Sequence, residues 1–348
     1  MAVYSVDPIY DPRWRELVQN HPLASVFHTV PWLESLERTY GYKPVAFTSS
    51  SPNGKLENGV VFCRVRSWLT GQRLVSLPFS DHCDPLCHSI EELEFLARYL
   101  QATLDRKEWK YVEVRPADVS FGKIASGFGF RSAQKYFLHR IDLQPDTNRI
   151  FKTLDKDSIQ RRIRRAERAQ LIEESGRSER LLKDFYGLLI VTRSRHHVPP
   201  QPYVWFRNLV RSFGEALEIR LAYKEHTPVA AILTLRFKDT VYYKYGCSDK
   251  TFNHLGATPL LLWKAIAHAK STGATEFDLG RTDEDNAGLI AFKDKWGARS
   301  QPLVYLRFPD STVATGDEWK LKMLKHVFAC MPARLLEATG NLIYRHIG

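Results

Sequence analysis

Three stretches of the chain hold side chains suited to negative charge. The first is Arg161-Arg162-Ile163-Arg164-Arg165-Ala166-Glu167-Arg168. On a helix begun at Ser158, positions 161, 164, 165 and 168 share one face by i, i+3, i+4, i+7 spacing. Four like charges on one face repel unless an anion such as phosphate joins them. The other reading is a solvated face partly neutralised by Asp155, Asp157 and Glu167. The second stretch is Asn253-His254-Leu255-Gly256-Ala257-Thr258, ahead of a helix whose Pro259 suits a first turn. Backbone N–H groups at a helix start bind anions, although a plain capped loop has the same composition. The third is Phe292-Lys293, between a strand ending at Arg281 and Gly297. A fixed ammonium there stabilises a developing oxyanion or holds a phosphate. Otherwise Lys293 is a surface lysine beside Lys295.

Other polar groups are weaker candidates. Arg281, Thr282 and Asp283 stand where a central strand ends, the place where open α/β sheets take ligands; a loop-holding salt bridge is the alternative. Arg195 and His196 lie in the polar run Arg193–Pro200, which either lines an acceptor pocket or is a structural loop. Adjacent histidines diverge, so at most one serves as a base. Asp81 and Asp84 follow the third strand of the first half. The run His82-Cys83-Asp84-Pro85-Leu86-Cys87-His88 mimics a metal site, but structural zinc draws on two separated ligand pairs and no second pair follows. No metal is expected. No Ser or Cys sits in a nucleophile motif, so no covalent enzyme intermediate is expected either.

The elements around these residues occur twice. A helix ends in Arg38-Thr39-Tyr40-Gly41 and another in Arg211-Ser212-Phe213-Gly214. Strands follow at Lys43–Thr48 and Gly59–Val65, and again at Glu218–Tyr223 and Val229–Phe237. A third strand ends in Ser80-Asp81 or Ser248-Asp249. Helices Ile90–Arg106 and Thr258–Thr272 come next, then strands Tyr111–Arg115 and Glu276–Arg281. Gly129-Phe130-Arg131-Ser132 and Gly297-Ala298-Arg299-Ser300 each lead into a final strand, Tyr136–Leu143 or Leu303–Phe308. Equivalent landmarks recur at offsets of 166 to 168 residues, a register that chance does not hold over several elements. The order predicts a mixed α/β sheet in each copy, with turn formers at Pro145–Asn148 marking the boundary.

Composition agrees with two globular domains. The chain has 348 residues, with 44% hydrophobic and 26% charged. Its net charge of +11 favours an anionic partner. Five scattered cysteines do not form a disulfide framework. No signal-peptide pattern opens the chain and no apolar run reaches membrane-spanning length. A cytoplasmic location follows.

Four strings carry a family resemblance: Tyr245-Gly246-Cys247-Ser248-Asp249; Trp263-Lys264-Ala265-Ile266-Ala267-His268-Ala269; Phe277-Asp278-Leu279-Gly280-Arg281; and Gly288 through Gly297, with its Phe-Lys-x-x-(aromatic)-Gly pattern. Together they resemble the FemAB family, especially bacterial GNAT-like acyltransferases of envelope and polysaccharide pathways. The resemblance implies tandem GNAT folds: 1–146 on the acceptor side, 147–312 on the donor and catalytic side, and an amphipathic helical tail at 313–348. It implies an N-acyltransferase that moves an acyl or aminoacyl group to an amine, by direct attack of the amine on the bound donor. The donor is acyl-CoA or aminoacyl-tRNA, with no tightly bound cofactor and no DNA. The acceptor is an amine-bearing envelope or polysaccharide precursor. Lys293, beside Phe292, faces the reaction centre in this family. Donor binding falls to Tyr245, Asn253, Gly256, Ala257, Thr258, Arg161, Arg164 and Arg165. Acceptor binding falls to Asp81, Asp84, Arg195, His196, Arg281 and Asp283. The sequence departs from the full GNAT loop pattern at Asn253 and Thr258, and it lacks the long heptad insertion that some members carry for tRNA. The tail, with Lys320, Lys322, Lys325 and Arg334, either docks on the body or lies on the inner face of a membrane. The rival class is a non-catalytic nucleic-acid or membrane-surface binder that uses the arginine helix.

Overall fold

The computed structural model describes residues 2–68, 71–105, 109–309 and 333–347. The strands are β1 (Tyr4–Val6), β2 (Lys43–Thr48), β3 (Val60–Ser67), β4 (Gly71–Val75), β5 (Tyr111–Val114), β6 (Arg131–Asp142), β7 (Ile172–Gly176), β8 (Leu217–Lys224), β9 (Thr227–Phe237), β10 (Thr240–Ser248), β11 (Glu276–Asp283) and β12 (Arg299–Phe308). The helices are α1 (Pro12–Asn20), α2 (Val30–Tyr40), α3 (Ile90–Asp105), α4 (Val119–Gly127), α5 (Thr147–Thr153), α6 (Arg161–Arg168), α7 (Glu179–Arg195), α8 (Tyr203–Phe213), α9 (Ala257–Ser271), α10 (Ala287–Asp294) and α11 (Ala333–Ile347). A π-helical turn, Lys156–Gln160, leads into α6.

The chain forms two compact units. Among the described residues, unit 1 takes 2–136, 302–309 and 342–347, and unit 2 takes 137–301 and 333–341. Unit 1 orders its strands β1-β2-β3-β4-β5-β12. Neighbours are antiparallel except β4 and β5, which run parallel in register Arg73↔Tyr111. Unit 2 orders its strands β7-β8-β9-β10-β11-β6. It repeats the pattern, with β10 and β11 the parallel pair. Mixed sheets of this kind need a crossover helix for the parallel step, which α3 and α9 supply.

One feature departs from the reading by repeats. The final strand of each copy is exchanged. β12, from the second half, pairs with β5 in register Leu306↔Val114. β6, from the first half, borders β11, where the Leu143 N–H donates to the Thr275 carbonyl at 2.9 Å. Linear repetition cannot reveal exchange, because it fixes the kind of strand and not its neighbour.

Each unit has its own core. In unit 2, Ile163 and Ala166 of α6 and Leu260, Leu261, Leu262 and Ile266 of α9 pack with Val241, Phe277 and Trp296. Phe185 of α7 and Phe206 of α8 lie on other ground, against Tyr245. In unit 1, Phe62, Leu74, Val112, Phe130 and Leu306 pack together. The two Gly-x-Arg-Ser glycines both take left-handed backbone, φ 84° at Gly129 and 69° at Gly297, which favours glycine. Of the tail, 313–332 lies outside the described residues. In α11, the Tyr42 hydroxyl donates to the Tyr344 carbonyl at 3.0 Å, and buried Arg73 donates to the His346 carbonyl at 2.8 Å. A cation on terminal carbonyls suits a helix C-terminus. No helix of the described residues is long and apolar enough to cross a membrane.

A Cβ at Gly129 would stand 2.6 Å from the Phe308 ring of β12. Gly129→Ala should therefore destabilise the protein by about 1–3 kcal/mol, read as a lower urea midpoint. An unchanged midpoint would contradict this packing of β12 in unit 1.

Candidate functional site

The site of interest lies in unit 2, where β10 and β11 part. They pair at Thr240↔Glu276, Val241↔Phe277 and Tyr242↔Asp278 and then stop, although β10 continues to Ser248 and β11 to Asp283. Backbone groups beyond the split need other partners. On β10, Thr192 of α7 provides them. Its hydroxyl donates to the Ser248 carbonyl at 3.1 Å and accepts from the Ser248 N–H at 2.9 Å. On β11 the partner is Lys293. Its ammonium donates to the carbonyls of Gly280 at 2.8 Å and Arg281 at 2.9 Å. Consecutive carbonyls of a regular strand point to opposite edges. The left-handed φ of 73° at Gly280 lets one ammonium reach both.

Lys293 is thus no surface lysine. It is 4% exposed and committed to the wall of the split. Phe292, its neighbour on α10, lines a cavity of about 170 Å³ on the α9 side, with Arg162, Ser248, Phe252, Asn253, Ala257 and Thr258 among the other lining residues. Gly256 turns the chain into α9 with φ 78°, and no side chain caps that first turn. Its first N–H groups are left without intrahelical or side-chain partners, an arrangement that suits an anion. A Cβ at Gly256 would stand 2.4 Å from the Arg162 carbonyl, so α6 sits against the turn. The Arg165 guanidinium also donates to the His254 carbonyl at 3.2 Å. Arg161, Arg162, Arg164, Arg165 and Arg168 are all exposed. Of the five, Arg161 is ion-paired, with Asp157. The α9 turn and Arg162 of α6 thus line one cavity, whereas Arg161, Arg164, Arg165 and Arg168 do not line it.

Not every expected residue joins them. Tyr245 does not line the cavity. It is 7% exposed, and its hydroxyl accepts from Trp205 Nε1 at 2.8 Å on the α7–α8 side. The cause is a bulge in β10: Tyr243 pairs with Thr234 and Tyr245 with Leu233, so Lys244 is extra and the alternation flips. Tyr243, absent from the sequence reading, takes the α9 side instead. The adjacent Gly246 was its only signal. Asp283 is exposed and Arg281 half-buried at the end of β11. Arg195 is half-buried and His196 exposed at the end of α7. Burial, with the charges of Arg195, Arg193 and His197, lowers the His196 pKa.

In unit 1, Asp84 does not face a cleft. It is 5% exposed and accepts from the Ala117 and Asp118 N–H groups at 2.7 and 2.9 Å. Burial alone would raise its pKa, but the His82 contact, the Asp118 N–H and His28 together hold it below the usual carboxylate value. Asp81 offers its carbonyl to the Tyr305 hydroxyl at 2.7 Å. The expected anion features have no counterparts in this copy. By the 168-residue offset His88 stands at the place of Gly256 and Ala125 at that of Lys293, and α3 opens with Glu91 and Glu92. Acidic groups at a helix start repel anions.

A second cavity of unit 2, about 260 Å³, is lined by Arg177, Glu215, Arg236 and Thr272. Arg177 pairs with Glu215, and Arg236 is bound to Thr272. Its charges are already satisfied, so it is a poorer anion site than the cavity at α9.

The geometry can be set beside known proteins. Residues 155–294 match the model of the acetyltransferase (GNAT) domain family. This part of the chain is similar to that domain. The matched span runs from the turn before α6 to the end of α10 and contains every element of the split-strand site. No curated protein matches the chain in sequence. Among solved structures, FemX shares 14% identity with a TM-score of 0.69, over 87% of this chain and 97% of that one. The L-PGS structure from Bacillus licheniformis shares 16% with a TM-score of 0.58, over 95% and 97%. A tandem GNAT protein of the clavulanic acid pathway shares 11% with a TM-score of 0.54, over 88% and 98%. At such identities the likeness establishes the fold, and the fold is the tandem GNAT one.

Two predictions follow from the buried groups. Lys293→Met leaves two carbonyls without their donor, so it should cost about 1–3 kcal/mol in urea unfolding; wild-type stability would contradict the assignment. The second concerns histidines. In unit 1, His28 Nδ1 accepts from the Ser25 N–H at 3.0 Å while Nε2 donates to the Asp84 carbonyl at 2.8 Å. Burial lowers its pKa to about 4, and burial with the Lys293 charge does the same to His139 of β6. The unfolded chain takes these protons near pH 6.5, the folded chain only near 4. Stability is thus full above about pH 6.5 and falls as the pH drops towards 4. Melting temperature should begin to fall above pH 5, before carboxylates titrate; a flat profile there would contradict neutral buried histidines.

Proposed function

We propose that this protein is an N-acyltransferase whose GNAT domain holds an acyl-CoA-type donor in the cavity between α6 and α9. The observation that carries the reading is the meeting of three features at that cavity: the uncapped α9 start at Gly256, Arg162 of the arginine-rich α6, and Ser248 at the split between β10 and β11. Donor phosphates lie at the N–H groups of Ala257 and Thr258, with Asn253 beside them. Arg161, Arg164 and Arg165 meet the charge outside. The acyl end runs past Phe292 towards the split. Lys293 fixes the β11 wall of that split, so the reacting groups meet in one geometry.

Transfer is direct. The acceptor amine attacks the acyl carbon, the carbonyl oxygen carries charge in the tetrahedral intermediate, and the leaving group departs with the C–X electron pair. Among the described residues, thiols are ill suited to a covalent route. Cys63, Cys83 and Cys247 are buried and their thiols pushed up by that burial, while Cys87 is pushed up to about 12. At neutral pH such thiols stay protonated. Arg195, His196, Arg281 and Asp283 are proposed for the acceptor. The resemblance of the sequence to the FemAB family favours an amine-bearing envelope precursor and keeps aminoacyl-tRNA as the second donor to test.

The test is a thermal-shift titration with CoA, acetyl-CoA and charged tRNA, since a ligand of the native state raises its melting temperature. CoA and acetyl-CoA should stabilise the wild type. Gly256→Val, which places a side chain against the Arg162 carbonyl and over the turn, should abolish the shift. Stabilisation by tRNA alone, lost in Arg164→Glu with Arg165→Glu and steeply salt-dependent, would replace the CoA reading with a nucleic-acid one.

A further inference from the structure

Lys293 directs two of its three N–H donors to backbone carbonyls, and the split offers a second donor for the oxyanion of transfer. One tyrosine at the split is placed for it. Tyr243 is the first residue of β10 beyond the last pair with β11, Tyr242↔Asp278. The bulge at Lys244 sends Tyr245 towards Trp205 and leaves Tyr243 on the side of α9, packed on the same core as Phe252, Phe292 and Ala257. Phe252, Phe292 and Ala257 line the donor cavity.

The tyrosine hydroxyl has a place made for it. A Cβ at Gly246 would lie 1.8 Å from the Tyr243 hydroxyl oxygen and 2.8 Å from its ring. Gly246 is not among the residues of positive φ, so backbone conformation does not call for glycine there. Space for the hydroxyl does. That hydroxyl has no hydrogen-bond partner among the described residues, whereas the hydroxyls of Tyr186, Tyr245 and Tyr305 are bonded. Tyr243 is half-buried and its hydroxyl is reached by solvent, so it is open to a ligand. Burial also pushes the phenol above its usual value, so it remains a protonated donor at neutral and mildly alkaline pH.

We propose that the Tyr243 hydroxyl donates a hydrogen bond to the carbonyl oxygen of the donor's acyl group, and that this bond strengthens as the oxygen gains charge. Tyr243 thereby acts as a catalytic residue that touches the reacting group. The C–N bond forms as the amine lone pair attacks. The carbonyl pair moves to oxygen, then returns as the C–S bond breaks and the sulfur leaves with its pair. The amine gives up one proton to solvent and the thiolate takes one. Tyr243 keeps its own proton throughout. A preorganised donor of this kind is worth on the order of 10²–10³ in rate.

This inference rests on acyl-CoA as donor. The experiment is difference infrared spectroscopy of [1-13C]acetyl-CoA bound to the full chain, with CoA affinity measured alongside. The wild type should shift the thioester carbonyl to lower frequency than in free acetyl-CoA. Tyr243→Phe should bind CoA as tightly as the wild type and return the band to its free position. Gly246→Ala, which displaces the hydroxyl, should do the same to the band. An equal shift in wild type and Tyr243→Phe overturns the role of Tyr243 and leaves the donor site standing. Absence of CoA and acetyl-CoA binding by the wild type overturns the donor reading and this inference with it.

Discussion

A parallel strand pair that separates part-way leaves two rows of backbone groups without partners, and the GNAT domain is built around meeting that need. The ammonium of Lys293 holds one wall through Gly280 and Arg281, and the hydroxyl of Thr192 holds the other through Ser248. Each brace comes from a helix outside the sheet. The opening is therefore fixed before any ligand arrives, which is what preorganisation requires. A buried ammonium on neutral carbonyls is also an expensive device, one that pairing the strands to their ends would have avoided.

Around the opening the domain arranges charge by position. The first turn of α9 and Arg162 of α6 line the same cavity, and Gly256 permits close approach of the Arg162 backbone. The turn after β11 carries exposed Asp283, Glu284 and Asp285. Anion-favouring and cation-favouring ground thus lie on different loops of one domain. The first copy keeps the strand pattern but has His88 and Ala125 where the second has Gly256 and Lys293, and an acidic helix start. Duplication preserved the fold, while the features suited to a phosphate-bearing donor stand in one copy.

Much of this was legible in the residues. The repeat at 166 to 168 positions, the mixed sheet, the glycine turn at 256 and the arginine face all rest on local patterns that survive folding. What escaped was long-range. The exchange of β6 and β12 depends on which sheet edge a strand meets, and two equivalent strands carry equivalent patterns. The sequence reading has Tyr245 facing the donor, whereas it faces Trp205, because one inserted residue, Lys244, inverts an alternation that the sequence shows as regular. The same reading has Lys293 serving an oxyanion or a phosphate, and the partners it shows are carbonyls, which have no letter in a sequence. Asp84 was misplaced for a like reason: its partners are the N–H groups of Ala117 and Asp118, more than thirty residues away.

The central claim is that the braced opening in the GNAT domain receives the acyl donor. Hydrogen–deuterium exchange with and without acetyl-CoA addresses it directly, because backbone groups freed by the split either meet a ligand or do not. The account predicts added protection in 243–248, 256–261 and 279–283, with unit 1 unchanged. Protection confined to unit 1, or none in those three segments at saturating acetyl-CoA, would contradict it.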